Sequence, residues 1–150
     1  MPTNAPTDTP TETPTDTPTD TPTRTHRTDI QLRFNDTDAL GHINNTAYAL
    51  YAEQGRVDFL DTFRSEGVYL ILAHISLDFL RQVRFRDSVY VLTRIAKIGT
   101  TSVTLEQEVY GNDEVSARVR SVVVMFDYEA QKPTPISDAV RGQLEAYVQG

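Results

Sequence analysis

Residues 44–63 read NNTAYALYAEQGRVDFLDTF. Within them Tyr48, Tyr51, Ala52, Gly55, Phe59 and Phe63 recur at steps of three and four, which puts them on one apolar stripe of a helix from about Asn45 to Arg64. Asn44 is the predicted N-cap, because a side-chain carbonyl there accepts from the free N–H groups of the first turn. Gly55 weakens the helix, but on a buried face its missing side chain lets another part of the chain approach closely.

Outward from this helix the period changes to two. Ile30, Leu32 and Phe34 alternate with Asp29, Gln31 and Arg33, the mark of a half-buried strand. A polar loop, Asn35 to Asn44, joins that strand to the helix. Beyond Gly67, Tyr69, Ile71, Ala73, Ile75, Leu77 and Phe79 make one face of a long alternating segment. Val89 to Ile98 is a further strand, Gly99-Thr100 turns the chain, and Ser102 to Tyr110 is the next. Gly111-Asn112-Asp113 signals a tight turn into a strand from Val115 to Tyr128. Its Val122–Phe126 run is apolar on both faces, as in a strand covered on each side within a sheet. Pro133 and Pro135 end the sheet, and Ile136 to Val148 offers a final short helix. One strand, one long helix, four strands and a terminal helix describe an α+β fold, an antiparallel sheet wrapped around a single central helix. The other sheet face would still need cover, for which a second subunit is one source.

Residues 1–23 stand apart from a folded domain of residues 24–150. Pro6, Pro10, Pro14, Pro18 and Pro22 recur every fourth residue, with Thr between them and one acid per repeat at Asp8, Glu12, Asp16 and Asp20. With nothing large and apolar to bury, such a segment does not offset its ordering entropy and is expected to be a disordered acidic tail. An O-glycosylated stalk has a similar composition but requires secretion. The N-terminus has no basic start and apolar core of an export signal, and no run reaches the roughly 18–20 apolar residues of a membrane helix. These absences lead to the expectation of a cytoplasmic protein. Cysteine is absent, so thiolate catalysis and disulfides are excluded. Residues 24–150 hold 17 acids against all 14 basic residues, a charge of −3, which argues against a general nucleic-acid surface.

Chemistry concentrates between Asn35 and Asn45, where two aspartates, a glycine, a histidine and three asparagines precede or open a helix N-terminus. Free N–H groups there stabilise a developing oxyanion, and a neighbouring carboxylate delivers water or attacks. Ordinary turn and capping chemistry uses the same residue types. His74, Ser76 and Asp78 imitate a hydrolase triad in composition, yet alternate residues of one strand stand about 7 Å apart, too far for the Ser–His bond a triad needs. His26, His42 and His74 have no metal-ligand spacing, so no metal is expected. Arg81, Arg84 and Arg86, with Lys97 across the next strand, form either a solvated edge or a seat for phosphates.

The segment Arg33-Phe34-Asn35-Asp36-Thr37-Asp38-Ala39-Leu40-Gly41-His42-Ile43-Asn44-Asn45, followed by Tyr48, Tyr51, Glu53, Gly55-Arg56 and Phe59-Leu60, resembles the signature of the 4-hydroxybenzoyl-CoA thioesterase-like family. Ser76 to Asp87, Ile98 to Leu105 and Pro133 to Ile136 are similar to later segments of that family. The resemblance implies a hotdog fold, a homodimer or larger assembly such as a tetramer, no cofactor, and hydrolysis of acyl-CoA thioesters at a site on the subunit interface. It implies that Asp38 is the catalytic carboxylate, as nucleophile or as base, and that the Asn45 N–H is the oxyanion donor. Gly41 and His42 would line the thioester pocket with Tyr48 behind them. If the basic cluster is a phosphate seat rather than a solvated edge, Arg84 and Arg86 are its first candidates for the phosphates of CoA. Asp36 is read as a turn residue and Glu53 as a reserve carboxylate. An acyl carrier protein could replace CoA as the thiol. The rivals are a non-catalytic acyl-CoA-binding hotdog module and a hotdog dehydratase, whose different Asp/His helix motif is absent.

Overall fold

The computed structural model describes residues 23–63 and 69–149; the acidic tail expected at 1–23 falls outside them except for Thr23. In order, the elements are β1 (His26–Ile30), α1 (Asn45–Asp61), β2 (Tyr69–Phe79), β3 (Val89–Ile98), β4 (Ser102–Gly111), β5 (Glu114–Asp127), the two-residue β6 (Lys132–Pro133) and α2 (Asp138–Glu145). A 3₁₀ turn at Phe34–Asp36 lies between β1 and α1. The first strand is thus shorter than its alternation suggested. It stops at Ile30, and Phe34 is exposed in the 3₁₀ turn.

All strand pairings are antiparallel, in the order β1-β3-β4-β5-β2, with β6 added against β5. β1 and β2 occupy opposite edges although only α1 separates them in sequence. The helix must therefore cross the sheet between them, and it does so on the concave face. Asn44 caps it as expected, its Oδ1 accepting from the Thr46 N–H at 3.3 Å. The helix stops at Asp61, short of the expected Arg64, where the Thr62 hydroxyl bonds back to the Phe59 carbonyl and competes with continued helix.

The core is divided between the two halves of α1. Around its first half, Tyr48, Tyr51 and Ala52 pack with Ile30, Val91, Val109 and Val119. Around its second half, Phe59 packs with Ile95, Leu105, Val123, Met125 and, from α2, Val140 and Leu144. Each large side chain buried in this way contributes about 1.5–3 kcal/mol. Gly55 lies where a Cβ would come within 2.8 Å of Val91 Cγ1 and 3.1 Å of Gln107 Nε2, so here the glycine is required by close approach of helix and sheet.

Two further differences from the sequence pattern have identifiable reasons. The alternation of β2 looks continuous, but its pairing with β5 shifts between Leu72 and His74. This bulge at Ala73 switches the inward residues from even to odd: Leu70 packs into the second cluster, and Ile75 and Leu77 into the first. At the other end, α2 begins only at Asp138, because Ser137 caps it by accepting from the Val140 N–H. The tight turn after β4 is as expected, with Asn112 and Asp113 both at positive φ, 49° and 63°. β5 is an interior strand, and its convex-side Val122, Val124 and Phe126 are only half-buried in the single chain. Beside them the convex face is charged, with Arg94 and Arg120 paired to Glu106 and Arg118 to Glu108. Among the described residues no helix is long and apolar enough to cross a membrane.

Candidate active site

The two long connections of the fold meet at the N-terminal end of α1. One is the 31–44 loop, and the other is the 80–88 segment that returns from β2 to β3. They are tied by the Ile43 N–H donating to the Val83 carbonyl at 2.7 Å and by a bridge between His42 and Arg84. The Tyr48 hydroxyl accepts from the Val83 N–H at 3.2 Å and donates to the Arg81 carbonyl at 3.4 Å. Burial pushes the Tyr48 hydroxyl above the ordinary tyrosine pKa, so it stays a neutral donor and acceptor at this junction.

Asp36 organises the loop from inside. It is 8% exposed, and its Oδ2 accepts from the Tyr51 hydroxyl at 2.8 Å and from the Arg33 N–H at 3.0 Å. Its own carbonyl accepts from the Asn44 N–H at 2.7 Å. One residue therefore fixes the start of the loop, its end and the helix behind it. Asp36 is a turn residue as expected, closing the 3₁₀ turn at Phe34–Asp36, and it is a buried anchor as well. A tyrosine on an apolar helix stripe needs a partner for its hydroxyl, and that was the available signal. Burial, then the bond to Asp36 and its charge, push the Tyr51 hydroxyl far above the ordinary value.

Asp38 is held differently. It is exposed, and its Oδ1 accepts from the N–H groups of Leu40 at 2.8 Å and His42 at 3.0 Å. Its N–H donates to the His42 carbonyl at 2.7 Å, and its carbonyl accepts from Gly41 at 3.2 Å. Gly41 sits at φ +78°, a conformation glycine adopts without steric cost, and this closes the turn. The second carboxylate oxygen, Oδ2, has no hydrogen bond among the described residues.

Asp38, His42, Ile43, Asn45 and Tyr48 line a cleft of about 300 Å³ with Phe79, Leu80, Arg81 and Gln82. The structure thus brings together Asp38, His42, Asn45 and Tyr48, four of the residues singled out in the sequence. Gly41 shapes the turn without lining the cleft, and Glu53 lies exposed farther along the helix. Gln82 and Arg81 continue into an adjoining open cleft of about 450 Å³ with Arg84, Asp87, Gly111, Asn112 and Glu114. Arg81 is ion-paired with Glu114. Asp87 is held by the Arg84 N–H at 2.8 Å and by Asn112 Nδ2 at 2.9 Å. Arg86 is exposed and lines neither cleft, and Lys97 sits near the far end of β3, roughly 25 Å along the strand from Val89 at about 3.3 Å per residue, so it does not join the arginines. Phe79, Leu80 and Gln82 were missed in the sequence because only the fold brings the exit of β2 to the loop. His74, Ser76 and Asp78 stay exposed along β2 opposite Val122, Arg120 and Arg118, as a polar strand face.

A carboxylate and a free helix N-terminus sharing one cleft are set in a fold that known proteins share. The family model of the thioesterase-like superfamily matches residues 32–144. The chain belongs to the thioesterase-like superfamily. Among curated relatives, the acyl-acyl carrier protein thioesterase ATL2 of Arabidopsis thaliana chloroplasts is 28% identical over 126 residues. That match covers 77% of this chain and 66% of the relative, so the chain spans about two thirds of that protein. Among solved structures, a predicted thioesterase from Bacillus stearothermophilus superposes with a TM-score of 0.78 at 32% identity, over 84% of this chain and 98% of that one. A thioesterase from Thermus thermophilus, complexed with coenzyme A and Zn, gives 0.73 at 30% identity, over 81% and 92%. Family and hotdog fold are as the sequence led us to expect. Among the described residues, no group of three His, Cys, Asp or Glu side chains is placed to hold a metal ion.

Proposed function

We propose that this superfamily member hydrolyses an acyl-CoA thioester to the free acid and CoA in the cleft at the N-terminus of α1. The carrying observation is that the free Oδ2 edge of Asp38 and the N-terminal turn of α1 at Asn45 border the same 300 Å³ space. Asp38 takes a proton from water, or attacks the thioester carbon itself. The Asn45 N–H, at the first helical position where no intrahelical acceptor exists, receives the carbonyl oxygen as negative charge gathers on it. In the first case the water adds to the thioester carbon, the C–S bond breaks and the CoA thiolate leaves with the proton that Asp38 took. In the second the C–S bond breaks to leave an acyl–Asp38 anhydride, which water then hydrolyses to the free acid, its proton going to the thiolate. His42 and Tyr48 bound the thioester, Gly41 keeps the turn that aims Asp38, and Arg84 meets the phosphates; Arg86, outside both clefts, reaches them only if the bound CoA extends beyond the cleft lining. The relatives' names favour both carriers, an acyl carrier protein in one and coenzyme A in the other; in the open cleft beside the site Arg81 is paired with Glu114, and Arg84 is the arginine left to meet the phosphates of CoA.

We further propose a homodimer as the minimal unit. β2 is an edge strand whose Tyr69, Leu72 and Phe79 are exposed, and an uncovered edge of this kind invites pairing with a second copy. A stable monomer by light scattering would remove this part of the reading. One observation favours the non-catalytic rival: Asp38 Oδ1 already serves the loop's own N–H groups. Screening release of thiol from short, long and aromatic acyl-CoAs and from the matching acyl carrier protein thioesters separates the readings. Turnover of at least one acyl-CoA supports hydrolysis, whereas binding without turnover supports the rival.

A further inference from the structure

Three buried side-chain atoms have no hydrogen-bond partner among the described residues: Arg56 Nη1, Gln107 Oε1 and Ser121 Oγ. Arg56 is 5% exposed, Gln107 1% and Ser121 0%. Leaving any one of them unsatisfied is costly, and the charged guanidinium most of all. Strand register and helix rotation put them on neighbouring elements. Gln107 stands on the concave face of β4, its Nε2 donating to the Ala52 carbonyl at 2.9 Å and to Thr93 Oγ1 at 3.1 Å. A carbonyl only accepts, so the amide nitrogen must face α1 and Oε1 must turn the other way. Leu105 pairs with Ser121 and Gln107 with Val119. Ser121 is therefore the diagonal neighbour of Gln107 on the same face, about 7–8 Å away between backbones.

Arg56 follows Ala52 by one helical turn. Long side chains on a helix lean toward its N-terminus, which carries the guanidinium back over Ala52, the residue that Gln107 holds. Around the helix, Asp58 faces β1 through Thr28 and His26, and Gly55 faces Val91 of β3 and Gln107 of β4. Arg56 comes next in rotation, on the side of β5. Burial lowers its pKa, with the charge of Glu53 opposing, in keeping with a guanidinium short of acceptors.

We propose that Arg56, Gln107 and Ser121 enclose a buried water-binding site between α1 and strands β4 and β5. Arg56 Nη1 donates to the water oxygen, and the two water hydrogens go to Gln107 Oε1 and Ser121 Oγ. That makes about three bonds, the usual number for a buried water, and it satisfies every one of the three atoms. The donor set separates water from an anion. A guanidinium alone would attract chloride, but Gln107 Oε1 presents a lone pair and cannot be flipped away without losing the Ala52 bond. Only a ligand that both accepts and donates fits. The site pins the middle of α1 to the two central strands.

A crystal structure of the full chain, at a resolution that shows ordered solvent, tests this directly, with a second crystal soaked in bromide. The expected result is a solvent peak within hydrogen-bond reach of all three atoms and no bromide signal there. No peak, a protein acceptor on Arg56 Nη1, or bound bromide would each overturn the site. In solution, urea midpoints for Arg56→Met, Ser121→Ala and the double variant should be non-additive, the double variant losing less than the sum, because either change empties the same site. Additive losses overturn the shared water. If Arg56→Met does not fold, Gln107→Leu with Ser121→Ala completes the same cycle.

Discussion

Tyr51→Phe removes one oxygen from the interior and nothing else. The ring of Tyr51 is buried in the first core cluster, and Phe retains it, so no cavity opens. What is lost is the 2.8 Å bond to Asp36 Oδ2, a carboxylate left with only the Arg33 N–H at 3.0 Å. A hydrogen bond to a charged group contributes about 1.5–3 kcal/mol, and a buried acceptor that loses its donor bears its desolvation cost as well. We expect a loss of about 2 kcal/mol, read as a fall in Tm of roughly 8 °C at about 4 °C per kcal/mol for a domain of this size. Because Asp36 also holds both ends of the loop carrying Asp38, kcat should fall while the assembly state by light scattering stays that of the wild type. Adding Asp36→Asn should cost less than the sum of the two single changes, since they remove one interaction. The assay is thermal denaturation with steady-state kinetics on the same preparations. Wild-type Tm and kcat for Tyr51→Phe would refute the anchor.

Gly55→Ala gains about 1 kcal/mol of helix propensity but sets a Cβ 2.8 Å from Val91 Cγ1. Overpacking costs about 1–3 kcal/mol, so chemical denaturation should show a net loss, and a gain would mean that Val91 yields freely. Asp58 accepts from Thr28 at 2.7 Å and pairs with His26 at 2.8 Å, and these bonds lower its pKa. A lowered folded-state pKa gives stability that is present above the unfolded value, near 3.9, and lost as pH falls through the folded one; Asp58→Asn should flatten the acid limb of the stability–pH curve, and an unchanged limb would count against the clasp. Arg84→Ala should raise KM with little change in kcat, and unchanged kinetics would return that arginine to a solvated edge.

How much of this was visible beforehand depends on whether a residue's role is local. The cap at Asn44 and the turn at Asn112-Asp113 are decided by chemistry within a few residues, and both were legible. The long strands followed from hydrophobic period, and the family signature brought Asp38, His42, Asn45 and Tyr48 to one place. The bulge at Ala73 was hidden because apolar residues occupy both parities of β2, so alternation carried no mark of the switch. The anchoring role of Asp36 was hidden because a turn aspartate and a buried anchor look alike until Tyr51 is seen behind it. Gln107 and Arg56 are polar residues that sequence reading assigns to the surface. Their burial follows from the curvature of the sheet around α1, which no short segment encodes. Lys97 reads as lying across the next strand from the arginines, whereas β3 carries it to the opposite end of the sheet.

The most direct test of the proposed chemistry is the kcat of Asp38→Asn. Asparagine keeps an oxygen for the N–H groups of Leu40 and His42, which Asp38 Oδ1 now serves, so the turn and the fold should survive. It supplies neither a useful base nor a comparable nucleophile. With Tm and acyl-CoA binding unchanged, kcat should fall by about 10²–10⁴-fold, the usual contribution of a positioned acid–base group. Wild-type kcat in a folded Asp38→Asn protein, above all if Glu53→Gln abolishes turnover instead, would contradict the account.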